Sequence, residues 1–462
     1  ERRSSTGNQS LQLPIAIIQE PPPCQNAIAL GMKDAAQLCV NNYPDFPHLP
    51  AFDVLRRQFP EQGGVNLHSS GETQRDVVNT LRTMKSSYIA IQGPPGTGKS
   101  YLTARVIKEL VETGWRVAVV GPSHKVVENV LKKTIEAGLS DKVVAKESKN
   151  PKGVTWINQS KLEKWLPLQT GGVLAGGTAW TFRRKAIVNG QPFDLLVIDE
   201  AGQFSLGNMI SVSLIAKRLL LVGDQQQLPQ VSNGLHPEPI NVSALSWLLN
   251  GASVISPKFG YFLNQSYRMA PQLCEIVSQF SYQGQLKSHP ISQTRRLAGV
   301  DSGVHIEIVN HQDRTTSSIE EARRVVDIIK SLLGRDWTDE HGVRPLTESD
   351  ILVVAPFNAQ KNKIYKQLVK EGLSEVAVGT VDKFQGQEAP IAIMSMTASS
   401  VEQIARGWEF LFNRNRLNVA ISRAQWASYL LYSPNLLRVP ISKPEHLAVV
   451  SGLLSLVEPR SR

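Results

Sequence analysis

The stretch Gly93-Pro94-Pro95-Gly96-Thr97-Gly98-Lys99-Ser100 decides the fold of this chain. It matches the pattern G-x-x-x-x-G-K-[ST], whose glycines let the backbone turn tightly and aim its N–H groups at phosphate oxygens. Lys99 can supply positive charge to the β- and γ-phosphates, and the Ser100 hydroxyl can serve as a ligand to magnesium. The motif therefore predicts a P-loop with ATP and Mg²⁺ as its cofactors.

The sequence on either side of the motif supports this interpretation. The apolar run 88–91 predicts a buried strand, and the spacing of Leu102, Val106 and Leu110 predicts a helix over 100–112. A strand, a loop and a helix in this order form the context that a P-loop requires. The helix N-terminus adds partial positive charge, which favours a polyphosphate. The alternative is a glycine-rich turn followed by a chance Lys-Ser pair.

Composition limits the possible partners and compartments. The chain has 462 residues, with 50 basic and 40 acidic side chains and a net charge of +10. This balance fits a polyanionic partner, although solvated surface lysines would produce the same count. The cysteines Cys24, Cys39 and Cys274 lack metal-ligand spacing, which argues against a zinc site and against a disulfide scaffold. We therefore expect a reducing interior, and we expect no membrane span because no apolar run approaches the roughly 20 residues needed.

The chain is expected to have an irregular N-terminal segment followed by two domains. Residues 1–62 include the run Pro21-Pro22-Pro23, and proline at this density predicts mostly extended connection with a short helix near 27–40. An accessory element that touches substrate is the alternative. The first domain is predicted over 63–261 and the second over 262–462. Because the chain begins with Glu1, we expect it to be a piece of a longer protein.

Acidic and amide side chains follow the strands after the P-loop. The run 195–198 predicts a buried strand that delivers Asp199 and Glu200 to the sheet edge where the P-loop lies. One carboxylate can hold magnesium, and the next can orient or deprotonate the attacking water. Another predicted strand ends shortly before Gln227, whose amide can contact the γ-phosphate. A solvated turn is the alternative for Gln227.

The second half of the chain repeats the alternation of strands and helices without a P-loop. Such alternation predicts a second parallel sheet covered by helices, so the fold class is α/β throughout. This half presents Arg268 and Arg423, which could complete the ATP site of the first domain as arginine fingers. Surface charge is the alternative for either residue. We expect both to gain an anionic partner only when the cleft closes on ATP.

Taken in order, these segments resemble the motifs of superfamily 1 helicases. The matching segments are 93–100, 121–124, 199–203, 223–229, 267–269, 381–388 and 418–423. Their form is similar to the branch that contains the nonsense-mediated-decay helicase and the replication nuclease-helicases. Segments 382–390 and 409–413 resemble bacterial proteins that fuse a RecB-like nuclease to this helicase. The resemblance implies two tandem RecA-like domains with the ATP site in the cleft between them.

The resemblance also implies a role for individual residues. It implies catalysis by Lys99, Glu200, Gln227, Arg268 and Arg423, magnesium binding by Ser100 and Asp199, and phosphate binding by Gly93, Pro94, Pro95, Gly96, Thr97, Gly98 and Lys99. It further implies adenine binding by Gln74 and Tyr267, ribose binding by Glu388, and strand binding by Pro122, Ser123, His124, Thr178, Thr380 and Asp382.

The function implied by the resemblance is an ATP-hydrolysing helicase that moves 5′ to 3′ on single-stranded DNA in a bacterial cytoplasm. A nuclease module on the same full-length chain is a possible partner. The alternatives are an ATPase that removes protein from nucleic acid without unwinding, an RNA helicase, and a P-loop module that acts on protein only. No motif separates DNA from RNA, because sensing a 2′-hydroxyl depends on groove geometry.

Overall fold

The computed structural model describes residues 26–60, 67–147, 156–159, 162–188, 193–230, 236–404, 406–441 and 443–457. The run Pro21-Pro22-Pro23 and Cys24 lie outside these residues. The strands are β1 (Ser87–Gln92), β2 (Arg116–Val120), β3 (Val144–Glu147), β4 (Ile157–Gln159), β5 (Val173–Gly177), β6 (Leu195–Asp199), β7 (Arg218–Gly223), β8 (Gly260–Phe262), β9 (Gln265–Ser266), β10 (Lys287–Ser288), β11 (Arg296–Leu297), β12 (Gly303–Ile308), β13 (Asp336–Asp339), β14 (Gly342–Pro345), β15 (Ile351–Ala355), β16 (Ala377–Thr380), β17 (Ala389–Ser395) and β18 (Ala424–Tyr432).

The helices alternate with these strands along the chain. They are α1 (Asn26–Asn42), α2 (Pro50–Leu55), α3 (Thr73–Thr83), α4 (Lys99–Glu112), α5 (His124–Glu136), α6 (Leu162–Trp165), α7 (Ala179–Phe182), α8 (Lys185–Val188), α9 (Leu206–Ser213), α10 (Ala244–Leu249), α11 (Pro271–Ser281), α12 (Ile319–Leu332), α13 (Asn358–Lys370), α14 (Trp408–Leu411), α15 (Arg414–Ile421) and α16 (Pro444–Val457). None of those in the described ranges combines the length and the apolar character that crossing a bilayer requires.

A fully parallel sheet forms the first lobe, in the order β4-β3-β5-β2-β6-β7-β1-β8. Its central strands are mostly apolar and buried, as in residues 219–222 of β7, because helices cover both faces. In β1, Tyr88 and Ala90 pack into one apolar cluster, while Ile89 and Ile91 pack into the cluster on the opposite face. Since β8 still pairs with β1, the first sheet ends at Phe262, close to the predicted boundary.

The second lobe is built on another parallel sheet, in the order β12-β18-β17-β15-β16. Alternate residues of β15 again enter different clusters, with Leu352 and Val354 on one face and Ile351 and Val353 on the other. A small antiparallel sheet, β11-β13-β14, accompanies it. The predicted α/β fold class with two parallel sheets is confirmed.

The described part of the N-terminal segment differs from the predicted extended connection. Its helix α2 contributes the buried residues Ala51 and Val54 to the core of the first lobe. Asp53 accepts a hydrogen bond of 3.1 Å from the Ser87 hydroxyl at the start of β1. Proline density was misleading here because Pro50 occupies the first turn of α2, where a missing N–H costs nothing. Residues 26–60 therefore pack as part of the first lobe.

We predict that Val54→Ala destabilises the first lobe. Val54 is fully buried, so losing two methyl groups and leaving a cavity should lower the free energy of unfolding by about 2 kcal/mol. Val40→Ala is the matched control, because Val40 lies on α1 of the same segment and is 69% exposed. Urea unfolding of the two variants measures the difference. Equal stability of both would show that α2 is not part of the folded core.

Candidate nucleotide site between the lobes

Strand register brings the predicted catalytic loops of the first lobe together. Gln92 at the end of β1 lies opposite Gly223 at the end of β7, and Asp199 at the end of β6 lies opposite Val222. The P-loop, the acidic pair and the loop that carries Gln227 therefore leave the sheet at the same edge. This carboxyl edge is where parallel α/β sheets bind ligands.

The P-loop adopts the turn that its glycines predict. Gly96 and Gly98 have φ angles of 75° and 78°, in the left-handed region that only glycine enters readily. The Gly93 N–H donates to the Gly223 carbonyl at 2.9 Å, which fixes the start of the loop to β7. The Lys99 ammonium donates to the Gly93 carbonyl, within its own loop. Helix α4 begins at Lys99, so its positive end faces the loop.

The two acidic residues have different environments. Asp199 is only 5% exposed. Its burial, and next the negative charge of Glu200, raise the pKa of Asp199 to about 7. The positive charge of Lys99 acts in the opposite direction. Glu200 is half-buried and has a φ of 55°, a left-handed conformation that is strained for glutamate. Its carboxylate accepts a 3.5 Å hydrogen bond from the Gln203 amide. The arrangement suits a buried metal ligand beside an accessible base.

A hydrogen-bond network from both lobes holds Gln227. Its amide donates to Asp224 at 3.2 Å, and the same carboxylate oxygen accepts from the Tyr282 hydroxyl of the second lobe at 2.7 Å. Asn418 donates to the Tyr282 oxygen at 3.0 Å, and Asn415 donates to the Gln227 carbonyl at 2.6 Å. Gln227 is thus positioned jointly by the two lobes.

Arg268 lies against the P-loop but is already paired with a carboxylate. Its Nε donates to Glu388 at 2.5 Å, and its NH1 donates to the Ser422 carbonyl at 3.0 Å. Burial acts to raise the pKa of Glu388, but the charge and hydrogen bond of Arg268, together with a hydrogen bond from Gln425, outweigh burial and lower the pKa. The expectation that Arg268 gains an anionic partner only on closure is therefore wrong, because Glu388 supplies one within the second lobe.

Arg423 is held by backbone carbonyls instead. Its guanidinium donates to Val419 at 2.9 Å, to Gln387 at 3.1 Å and to Phe384 at 3.4 Å. Burial, followed by the like charge of Arg268, lowers the pKa of Arg423 to about 9. This side chain, only 2% exposed, is thus fixed in place on the second lobe while facing the cleft.

A cavity of about 810 Å³ joins these groups. The predicted nucleotide-binding and catalytic residues that line it are Pro94, Pro95, Gly96, Thr97, Gly98, Lys99, Ser100, Asp199, Glu200 and Gln227 from the first lobe and Arg268, Glu388 and Arg423 from the second. The charge pattern is that of a polyphosphate site, because both lobes supply cations and the first lobe also supplies the acidic pair. The structure therefore brings the predicted arginines and the P-loop lysine to one cavity.

The two predicted adenine residues are not in this cavity. The Gln74 amide donates to Glu109 at 3.4 Å beside a separate open pocket of about 550 Å³. Tyr267 is 47% exposed and stacks on His289 with ring centroids 4.1 Å apart. His289 was not found from the sequence, since nothing in its neighbourhood along the chain marks it.

The predicted strand-binding residues lie at the carboxyl edges of both sheets, and only some reach the cleft. Pro122, Ser123 and Asp382 line the cavity, and His124 is exposed at the start of α5. The remaining predicted residues are Thr178, directly after β5, and Thr380, at the end of β16.

Sequence reasoning missed a polar stripe on α5. Lys125, Asn129 and Lys133 line the cavity at a spacing of four residues, opposite Lys383 on the second lobe. The buried residues of α5 lie on its other face. The helical spacing of this stripe was the signal that could have revealed it.

Family models and known proteins match most of this chain. Two family models, each described as an AAA domain, match residues 69–240 and 243–433. The DNA replication ATP-dependent helicase/nuclease DNA2 of Gallus gallus is 25% identical over 437 residues, covering 87% of this chain and 40% of that protein. The regulator of nonsense transcripts 1 homolog of Drosophila melanogaster is 27% identical over 404 residues, covering 75% of this chain and 33% of that protein. The chain thus spans less than half the length of these curated relatives.

A solved structure is also similar in part. It is a complex of Arterivirus nonstructural protein 10, a helicase, with DNA. It aligns with a TM-score of 0.41 and 15% identity, covering 79% of this chain and 63% of that chain.

We predict that Gly96→Ala destabilises the protein more than Gly98→Ala. Both glycines have left-handed φ angles, so each alanine should cost about 1–2 kcal/mol in backbone strain. A Cβ at Gly96 would also lie 2.4 Å from the Arg268 Cβ of the other lobe, whereas one at Gly98 meets nothing within 4 Å. Thermal unfolding without added nucleotide measures the difference. Equal losses would contradict the close contact between the P-loop and Arg268.

Proposed function

We propose that this chain is a superfamily 1 helicase that couples ATP hydrolysis to movement along nucleic acid and to strand separation. The observation that carries the proposal is the shared cavity. One lobe supplies the anion cradle and the acidic pair, and the other supplies two arginines. Such a division makes hydrolysis depend on how the lobes meet, which a motor requires.

The residues of the cavity fit ATP with Mg²⁺. Open space at the Cβ position of Gly98 leaves the cradle accessible, and a hydroxyl at Ser100 and a carboxylate at Asp199 are oxygen donors of the kind that Mg²⁺ prefers. Ser100 and Asp199 would hold the ion, which when bound would supply positive charge beside the phosphates. Lys99 would bind the β- and γ-phosphates, Glu200 would accept a proton from the attacking water, and Gln227 would contact the γ-phosphate.

The arginines would stabilise the charge on the transferred phosphoryl group. Within the described residues Arg423 is held by carbonyl oxygens, so it can accept an anionic partner without giving up a carboxylate. Arg268 is already paired with Glu388, so the γ-phosphate would compete with this carboxylate for its guanidinium. If Glu388 also binds the ribose hydroxyls, as the family resemblance implies, ATP would separate this ion pair by engaging both of its members.

We propose single-stranded DNA as the preferred strand, with 5′-to-3′ movement. Support comes from the resemblance of segments 382–390 and 409–413 to bacterial nuclease-helicase fusions and from a relative named for DNA replication. A bacterial cytoplasm and a nuclease module on the full-length chain are proposed on that resemblance alone. A relative named for nonsense transcripts keeps an RNA helicase as the alternative. The second alternative is an ATPase that removes protein from nucleic acid without unwinding the duplex.

We predict that Lys99→Ala abolishes turnover while single strands stimulate the unchanged protein. Removal of the P-loop cation should lower kcat by about 100-fold or more. ATPase assays with matched DNA and RNA oligonucleotides measure stimulation and strand preference, and a fluorescent duplex with a 5′ overhang measures unwinding. Full ATPase activity in Lys99→Ala would overturn the site. ATPase activity that neither oligonucleotide stimulates would overturn the proposal of a nucleic-acid motor.

We predict that removing the negative charge of Glu388 frees Arg268 to act in catalysis. Glu388→Gln should raise kcat measured without nucleic acid by about fivefold, the equivalent of about 1 kcal/mol for an ion pair with a partly exposed member. It should also raise KM if Glu388 binds ribose. Glu340→Gln is the control, because Glu340 pairs with Arg295 and leaves the Arg268 guanidinium untouched. An unchanged kcat in Glu388→Gln would show that the ion pair does not limit Arg268.

A further inference from the structure

One tryptophan differs from all others in this protein. Of the eight in the sequence, each within the described residues, Trp180 alone is exposed, at 44%. Its side chain has no hydrogen bond, ring contact or cation–π contact within the described part of the chain. By contrast, Trp247 donates to the Val54 carbonyl at 3.2 Å, and Trp115 lies beneath the Arg218 guanidinium at 4.6 Å. Trp180 therefore exposes a large apolar surface that has no polar or aromatic partner within the described residues.

The fold places Trp180 at a defined edge. It lies in the short helix α7, which begins directly after Thr178 at the carboxyl end of β5. Its neighbours Ala179 and Phe182 are buried in the first lobe, so Trp180 occupies the opposite side of the turn. Its exposure is therefore a consequence of how α7 is anchored.

The same edge carries polar groups suited to phosphates. Gly177, the last residue of β5, lies opposite Val120 of β2, and neighbouring strands are about 4.8 Å apart. The loop after β2 begins α5 and exposes Ser123 and Lys125. Lys125 has no carboxylate partner within the described ranges, whereas Lys132 on the outer face of α5 pairs with Glu136 at 3.7 Å. The ends of two neighbouring strands thus carry an aromatic ring, a hydroxyl and a cation that has no carboxylate partner within the described ranges.

We propose that Trp180 stacks on a base of a single strand bound along this edge of the first lobe. The inference rests on the proposed function and adds a base-contacting position to the predicted phosphate contacts. One cationic and one aromatic group at neighbouring strand ends suit a phosphate and a base of a single strand, and every base has a face that can stack. The contact is therefore indifferent to sequence and common to DNA and RNA.

Fluorescence anisotropy of labelled oligomers tests the stacking. The probes are oligothymidylate and oligouridylate of about 12 nucleotides, a length within the usual site sizes, and an abasic oligomer with the same phosphates. Trp180→Ala should weaken binding of both base-containing probes by about tenfold and leave the abasic probe unchanged, since stacking energy needs a base. Trp180→Phe should restore most of the affinity.

A matched control lies at the other end of the same strand. Leu168 is 76% exposed and precedes β5, so Leu168→Ala removes an apolar surface group from the opposite sheet edge. It should bind all three probes as the unchanged protein does. The Lys99→Ala variant should also bind the probes without nucleotide, which separates strand binding from catalysis.

Three results would overturn the stacking contact alone. Equal binding of thymidylate and abasic probes by the unchanged protein would remove the role of bases. A loss in Trp180→Ala that extends to the abasic probe would assign Trp180 to structure. Unaltered binding in Trp180→Ala together with strand-stimulated ATPase would assign the exposed ring to another partner, such as a protein, while leaving the proposed function intact. Absence of any strand binding by the unchanged protein would overturn both.

Discussion

The contact between the P-loop and the segment Ser266 to Arg268 is the constraint on which the rest of this molecule depends. The Tyr267 N–H donates to the Gly96 carbonyl at 2.8 Å, and the Ser266 hydroxyl donates to the Pro95 carbonyl at 3.1 Å. These bonds attach the phosphate-binding turn of one lobe to the chain entering the other. Because Gly96 has no side chain, Arg268 can approach the cradle closely enough to share its cavity.

The cavity concentrates groups that are costly to fold. Asp199 is a buried carboxyl with a raised pKa, Arg423 is a buried guanidinium with a lowered one, and Glu200 has a strained backbone. Burial disfavours the ionised forms of Asp199 and Arg423. Such strain is maintained by the surrounding fold, and it concentrates where charge must be supplied to a ligand. The fold keeps these costly groups together in one cavity, and this supports a functional role for the cavity.

The features that could be predicted from the sequence are those encoded by residues close together along the chain. The P-loop could be recognised because its turn needs glycine at fixed positions, and Asp199 because a buried parallel strand must end at one edge of the sheet. Contacts between distant segments carried no such signal. The pairing of Arg268 with Glu388 joins residues 120 positions apart, and the stacking of Tyr267 on His289 depends on how β9 and β10 pair. Helix α2 was missed because proline count says nothing about where a helix begins.

The sequence by itself determined the two parallel sheets, the anion cradle and the acidic pair, since hydrophobic periodicity and glycine spacing are properties of neighbouring residues. Only the tertiary structure decided which carboxylate holds Arg268, that Gln74 lies apart from the main cavity, and that Trp180 is left exposed. The physical reason is that burial and ion pairing arise when distant segments compete for the same space. No local pattern of residues records the outcome of that competition.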